Sequence, residues 1–478
     1  MFGMSSPPIS PEQLAALPRE FRALLQGVID HYEALLAKQA ARIAELEDRQ
    51  GRTPQNSSLP PSTQHPHAKP PPPRKPKSKK QRGGQPGHKK HERPRIPSRD
   101  CDEVLELKPT ECRRCRAPLR GRDDEPLRHQ VWELPPIKPL VTEYRCHRLT
   151  CGGCGETTCA KLPPGVPRGQ SGPRLVALTA LLMAYYRQSK RRTAQFLGAL
   201  LGQPCCPALT VKMQNQATAA LRPAYDELVA RLPTQDQVSG DETPTKELNR
   251  QAWLWTLVAR AFTVFTIRPT REATAVTDLL TAEFTGVVTC DRAKMYWCAR
   301  RLQWCWAHLK RDIQALIDGG DGQAQRLGYD LRRTVRRLFG HWADYRAGTI
   351  SRAAFVRRMA PVRREVEGLL LRGKNSGNRS IVGMCRELYD HRDWLWAFVR
   401  VDGVEPTNNA SERALRHAVI WRKLSFGTQS AAGSRFAETM LTVIETCRQQ
   451  KRSAFDFVAQ AVQASYAGRN APSLLPGA

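Results

Sequence analysis

The chain is short of acidic charge and has no long apolar run, and each shortage excludes something. Its 478 residues hold 45 Asp and Glu against 75 Lys and Arg, a formal net charge of +30, with a pI near 10.1. A surplus of that size repels itself, so the composition points to a polyanionic partner. The most apolar run, Leu175 to Tyr186, is too short to span a bilayer and is bracketed by Arg174 and Arg187. No lipidation motif stands at Met1-Phe2-Gly3-Met4 or at Pro476-Gly477-Ala478, so no membrane partner is expected. There is no signal-peptide pattern, and fourteen cysteines are too sparse here for a disulfide scaffold. A reducing cytoplasm is the expected compartment. The length suits two to four domains with a sizeable core.

What is present changes character along the chain. Residues 1–50 read as a coiled-coil-like helix, in which Leu25, Ile29, Tyr32, Leu36, Gln39, Ile43 and Leu46 step by four and three. The seam serves either self-association, which would make a homo-oligomer, or packing on the same chain. Residues 51–98 lack large apolar side chains and are expected to be a disordered, basic, Pro-rich linker. Its run of Lys75, Lys77, Lys79 and Lys80 is either solvated or in loose contact with DNA phosphates.

Residues 99–160 hold two knuckles, Cys112-Arg-Arg-Cys115 and Cys151-Gly-Gly-Cys154. Two such pairs can complete one tetrahedral, structural Zn²⁺ site; the other reading is reduced thiols without metal. Alternating segments at 131–134 and 141–146 suggest a hairpin that brings the knuckles together, and Cys101, Cys146, His147 and Cys159 are spare ligands. Residues 161–235 read as a helical DNA-binding region. A helix over 207–221 would present Thr210, Lys212, Gln214 and Asn215 on its exposed side, either as a groove-reading helix or in plain packing.

From 236 the pattern becomes β-rich. A short strand ends on Asp241, two apolar runs follow over 252–259 and 261–267, then a helix over 270–284, then a buried strand that ends on Asp291. That order is the order of an RNase H-like sheet. Residues 307–400 are Arg-rich and helical, as an insertion would be. Residues 401–452 return to the core, and 453–478 are expected as a tail. The stretch Glu405 to Gly433 reads as a helix N-capped by Asn409, with Glu412, Arg416 and Lys423 on one face. Glu412 then either closes a capping box or serves as an acid among bases that hold phosphates, Arg413, Arg416 and Lys423. His308 reads either as a structural histidine or as a neighbour of the site.

The chain resembles the transposases of the insertion sequence 66 family nearly end to end. The likeness rests on Gln55-Asn56-Ser57-Ser58, Gly83-Gly84-Gln85-Pro86-Gly87-His88, the two knuckles, Asp241-Glu242-Thr243, Val288-Thr289-Cys290-Asp291, Cys305-Trp306-Ala307-His308-Leu309-Lys310-Arg311 and Asn408-Asn409-Ala410-Ser411-Glu412-Arg413. The resemblance implies a multidomain protein: an α/β RNase H-like catalytic core with an α-helical insertion, preceded by a helical zipper, a disordered basic linker and a zinc-binding module. It implies DDE chemistry by Asp241, Asp291 and Glu412 with two Mg²⁺ per active site. Asp241 would bridge, Asp291 would serve one ion and Glu412 the other. Its substrates would be double-stranded DNA, as transposon terminal repeats and as target. Accessory proteins of the same element and a nucleoid-associated location are implied too. Two rival functions stay open: a nuclease on the same core without strand transfer, and an inactive DNA-binding descendant.

Overall fold

The computed structural model describes residues 16–51, 94–202, 204–319 and 321–475. The basic run Lys75, Lys77, Lys79 and Lys80 and the Gly83–His88 motif lie outside the described residues. Helix α1 (Arg19–Gly51) is a single 33-residue element. Leu24, Tyr32, Leu36, Ile43 and Leu46 along it are exposed, so the rest of the described chain does not cover its apolar side chains.

In the cysteine-rich region the one hairpin among the described residues is β1 (Arg148–Thr150) with β2 (Thr157–Cys159), which embraces the second knuckle. The hairpin expected from 131–134 and 141–146 does not form. Val131, Leu134, Val141 and Tyr144 are exposed there. Alternating apolar residues become strands only where an apolar surface receives one face, and these have none.

Three helices follow: α2 (Pro173–Ala184), α3 (Lys190–Leu201) and α4 (Pro207–Arg231). Pro at the first position starts α2 and α4, where its missing N–H costs nothing. Ser189 caps α3 by accepting from Arg192 N at 3.2 Å. Thr210 and Gln214 are buried, whereas Lys212 and Asn215 are exposed. The expected exposed polar side of α4 is therefore corrected: half of it faces the core, where α4 packs on α2.

The sheet is built next: β3 (Gln237–Glu247), β4 (Arg250–Val258), β5 (Thr263–Arg268), helix α5 (Ala273–Leu280), β6 (Val287–Cys290) and β7 (Leu302–Trp304). The strand order is β5-β4-β3-β6-β7, with β3, β4 and β5 antiparallel and β6 and β7 parallel to β3. Glu247 pairs with Arg250 across Leu248 and Asn249, whose φ values are +52° and +61°. That is a two-residue turn of the primed kind, made without glycine. It carries β3 past Asp241, so Asp241 lies inside a strand of eleven residues and not at a strand end as the sequence suggested.

Helices α6 (Trp306–Gly319), α7 (Gly322–Arg346), α8 (Arg352–Lys374), α9 (Arg379–Asp390) and the single turn α10 (Ala397–Arg400) form the helical stretch after the sheet. The chain returns with α11 (Asn409–Ser425), α12 (Ala431–Gln449) and α13 (Ala454–Tyr466). The stretch from 453 is no tail. Phe457, Val458, Ala461, Val462 and Leu474 are buried, and α13 packs on α2 and α4.

Alternation along the strands sorts the core into two layers. Leu254, Val258 and Phe265 pack under Ala414, Leu415 and Ala418 of α11 and Leu441 of α12. Trp255, Leu257 and Val264 point the other way, into the cluster that includes Val276 and Leu279 of α5. Strand β5 is the sheet edge, and α12 closes it with polar side chains four residues apart. Thr446 and Thr442 accept from the N–H groups of Thr263 (3.1 Å) and Phe265 (2.9 Å), and Glu438 accepts from Ile267. No helix among the described residues is long and apolar enough to cross a membrane.

Candidate active site

The parallel ladder between β3 and β6 pairs Gln237 with Val287, Val238 with Val288 and Ser239 with Thr289. The ladder ends there; Asp241 lies two residues further along β3, and Asp291 is the residue just after β6. Ser239, Asp241 and Thr243 share one face of β3, the face that carries α11: Ser239 Oγ lies 3.0 Å from Ser411 Oγ, and Arg422 donates to Thr243 Oγ1 at 2.9 Å.

The start of α11 is bolted to the sheet. Ser411 and Asn408 donate to the Gly240 carbonyl at 3.3 and 3.4 Å, and Trp306 N donates to Pro406 O at 2.9 Å. The N-cap is Asn408, one residue before the expected Asn409. With that register Glu412 is the fourth helical residue and no longer in the capping-box position. Its carboxylate instead meets α6, with Oε1 3.7 Å from His308 Nδ1 and 3.6 Å from an Arg311 nitrogen.

The electrostatics gather the three acids more strongly than any one contact does. Burial first, then the negative charges of Glu242, Asp291 and Glu412, push the Asp241 carboxyl up to about 8. The Glu242 N–H, 3.0 Å from Asp241 Oδ1, pulls the other way. Asp291 accepts from Ala293 N at 2.9 Å, which shapes the loop after β6. Arg292 ties that loop to the helical stretch, 3.3 Å from Asp312 of α6 and 3.4 Å from Glu387 of α9. Burial lowers the His308 pKa, and the Arg311 charge adds to it.

Glu242 is a buried acid beside Asp241 to which sequence reasoning gave no role. It faces away from α11 and is 3% exposed, which decides that it needs partners. Tyr296 donates to it at 2.6 Å, and Arg271 donates through Nε at 2.9 Å and Nη2 at 2.6 Å. Burial raises its pKa above the ordinary carboxylate range, and those donors offset part of the rise. Gly240 allows this clamp: a Cβ there would lie 2.8 Å from the Tyr296 ring. Glu242 thus fixes β3 against the 3-10 turn at Lys294–Cys298, and so fixes Asp241 against the loop of Asp291.

Of the bases expected to hold phosphates, Arg413, Arg416 and Lys423 are exposed on the outer face of α11. The knuckles each form a tight turn. Arg116 N donates to Cys112 O and Gly155 N to Cys151 O, both at 2.9 Å. The N–H groups of Cys115 and Arg114 lower the Cys112 thiol pKa, and those of Cys154 and Gly153 do the same for Cys151. Each knuckle thus turns backbone N–H groups toward its first sulfur. Among the described residues, no group of three or more His, Cys, Asp or Glu side chains stands ready to hold one metal ion, so the structure does not gather the four knuckle cysteines or the three acids into a closed ligand set.

A sequence profile described as "Transposase IS66 family" matches residues 168–435, more than half of the chain. A second, described as "Family of unknown function (DUF6444)", matches residues 8–94. Among curated proteins, the "Uncharacterized protein y4qI" of Sinorhizobium fredii (strain NBRC 101917 / NGR234) is 24% identical over 272 residues, which cover 49% of each chain. The chain thus spans about half the length of that relative. The matched span 168–435 contains Asp241, Asp291 and Glu412, the sheet and the helical stretch between them, and on that match the chain belongs to the IS66 family of transposases.

Proposed function

We propose that the chain is a DDE transposase with an RNase H-like core, which cleaves transposon ends and joins the freed 3′-hydroxyl to target DNA. One observation carries the reading. Asp241 in β3 lies beside the end of β6, which Asp291 follows, and a glutamate enters on the helix packed over β3; burial and the charges of Glu242, Asp291 and Glu412 together raise the Asp241 pKa. The strand order, with three antiparallel strands followed by two parallel ones, supports the RNase H-like assignment.

The donor set fits hard divalent cations such as Mg²⁺, because carboxylate oxygens that resist joint ionisation favour a positive partner. Buried His308 Nδ1 and Asn408 Oδ1, which lack hydrogen-bond partners, are two further polar atoms close to Glu412 in space or sequence. Asp241, Asp291 and Glu412 would hold two ions, which when bound activate the attacking oxygen and stabilise the leaving one. Asp241 gives up the proton it keeps at neutral pH. Glu412 turns from Arg311 and His308 toward the aspartates. Arg413, Arg416 and Lys423 hold the DNA backbone so that the scissile phosphate stays over the acids. Attack by water breaks a P–O3′ bond and frees the 3′-hydroxyl, which then loses its proton, bonds to a target phosphorus and expels the target's own 3′-oxygen, which takes up a proton.

The remaining assignments belong to the same proposal. The knuckles share one structural Zn²⁺, the linker lysines add non-specific DNA affinity, and α1 joins copies of the chain. Accessory proteins of the element complete the machinery, in a cytoplasmic, nucleoid-associated setting. The decisive experiment replaces each acid without changing its shape. Asp241→Asn, Asp291→Asn and Glu412→Gln should each abolish cleavage and strand transfer of duplexes bearing the element's ends, while affinity for those duplexes stays within about twofold. Near-normal strand transfer by Glu412→Gln would refute the assignment.

A further inference from the structure

We propose that the turn between α2 and α3, together with the adjoining flank of α11, is a stacking site for an unpaired nucleotide at a DNA end. The inference rests on the transposase reading and adds a subsite to it. Tyr185 and Tyr186 follow directly on the buried helix α2, yet they are 41% and 58% exposed. They stand edge to face, with centroids 5.1 Å apart at 86°. Tyr185 also stacks on His417 of α11 at 6.4 Å and 26°, and Arg187 Nη2 lies 3.1 Å from His417 Nδ1. Arg187 adopts φ +58°, a backbone conformation that a side-chain-bearing residue takes only against a steric cost. The turn therefore leaves two aromatic side chains partly open to solvent, next to a residue in the left-handed region.

The surrounding charge names the class of ligand. Lys190, Arg191 and Arg192 are exposed in the first turn of α3. Cations there oppose the helix dipole, so helix stability does not account for them, whereas a phosphate chain would. Arg416 and Arg413 continue the positive surface across the outer face of α11, from the flank of Glu412 to the flank of His417. Glu445, which lines the depression beneath Tyr185 and His417, is bound by Arg448 at 2.8 Å and leaves that surface positive. Burial lowers the His417 pKa, and its Nδ1 stands within hydrogen-bond distance of Arg187. Glu412 and His417 are five residues apart on one helix, about 7.5 Å along its axis. Five residues also turn about 140° around the axis, so the two side chains leave α11 on different flanks. A base reaches an aromatic face only when it is out of the duplex stack, which makes an unpaired nucleotide the fitting occupant.

Binding of full-length protein to labelled DNA tests this. The probes are a blunt 30-base-pair duplex and the same duplex with a five-nucleotide 3′ dT overhang. The wild type should bind the overhang about tenfold more tightly, the range that stacking of one base supplies. Tyr185→Ala with Tyr186→Ala should remove that preference and leave affinity for the blunt duplex within about twofold. Tyr185→Phe with Tyr186→Phe should keep it. A 2-aminopurine placed as the first unpaired base should change its fluorescence on binding to the wild type, a readout independent of any variant's folding. Equal affinity for the two probes, a preference that survives the alanine pair, or an unchanged 2-aminopurine signal would overturn the stacking site. If acid-dependent cleavage persists in those cases, the transposase reading stands without it. If neither probe binds, the transposase reading falls as well.

Discussion

Replacing Asp241 by asparagine should stabilise the metal-free protein while it destroys activity. The size of the effect follows from the site. The Asp241 carboxyl rises from 3.8 to about 8 on folding. Between those values the native state holds a proton that the unfolded chain has released. Stability therefore falls as pH rises through that window, the reverse of a salt-bridged aspartate. At about 1.4 kcal/mol for each pH unit, the cost reaches about 3 kcal/mol at pH 6 and about 6 kcal/mol above pH 8. Asparagine keeps the shape and carries no charge, so it escapes that cost. In EDTA, urea denaturation followed by tryptophan fluorescence should show Asp241→Asn more stable than wild type at both pH values. The advantage should grow by about 3 kcal/mol from pH 6 to pH 9. Added Mg²⁺ should narrow the gap, because it stabilises the ionised wild-type site and has less to bind in the variant. A pH-independent difference, or a wild type more stable than the variant at pH 9 in EDTA, would refute the reasoning.

Two further outcomes are expected. Protein purified under reducing conditions should carry about one zinc per chain, and Cys112→Ser should release it; zinc-free wild type would contradict the shared site. Deleting residues 69–82 should weaken binding to any DNA and flatten its salt dependence, leaving preference among sequences intact. Binding measured between 50 and 200 mM salt checks this, and unchanged non-specific affinity with lost specificity would count against it.

The β-rich order around Asp241 and Asp291 was legible from short apolar runs, and the chain does form a sheet there. The exact places of the two acids were less so. Nothing in Leu248-Asn249 announces a tight turn, since the usual glycine is missing, and without that turn β3 reads as ending at Asp241. Strand β7, three residues long, is too short for any period to show. Glu242 escaped because its partners, Arg271 and Tyr296, stand 29 and 54 residues away, where no spacing rule operates. Thr439, Thr442 and Thr446 of α12 are wholly buried, and Thr442 and Thr446 meet β5 residues 177 and 183 positions earlier, where no local spacing could show it. At the knuckles local turn chemistry decides the structure, and the cysteine spacing marked those turns, though the hairpin around the second of them was expected elsewhere.

The closure of β5 by α12 has a consequence for synthesis. The N–H of Ile267 waits for Glu438, which the ribosome adds 171 residues later. At roughly 5–20 residues per second that interval lasts roughly 10–35 seconds. Throughout it the edge of the sheet offers unpaired donors beside the apolar side chains of Val264, Phe265 and Ile267. An open edge of that kind recruits foreign strands. The nascent chain is therefore most prone to misassembly after its sheet is made and before its last helices arrive. Slower translation should raise the yield of aggregate without altering the finished fold, and truncation before residue 438 should leave the edge open for good.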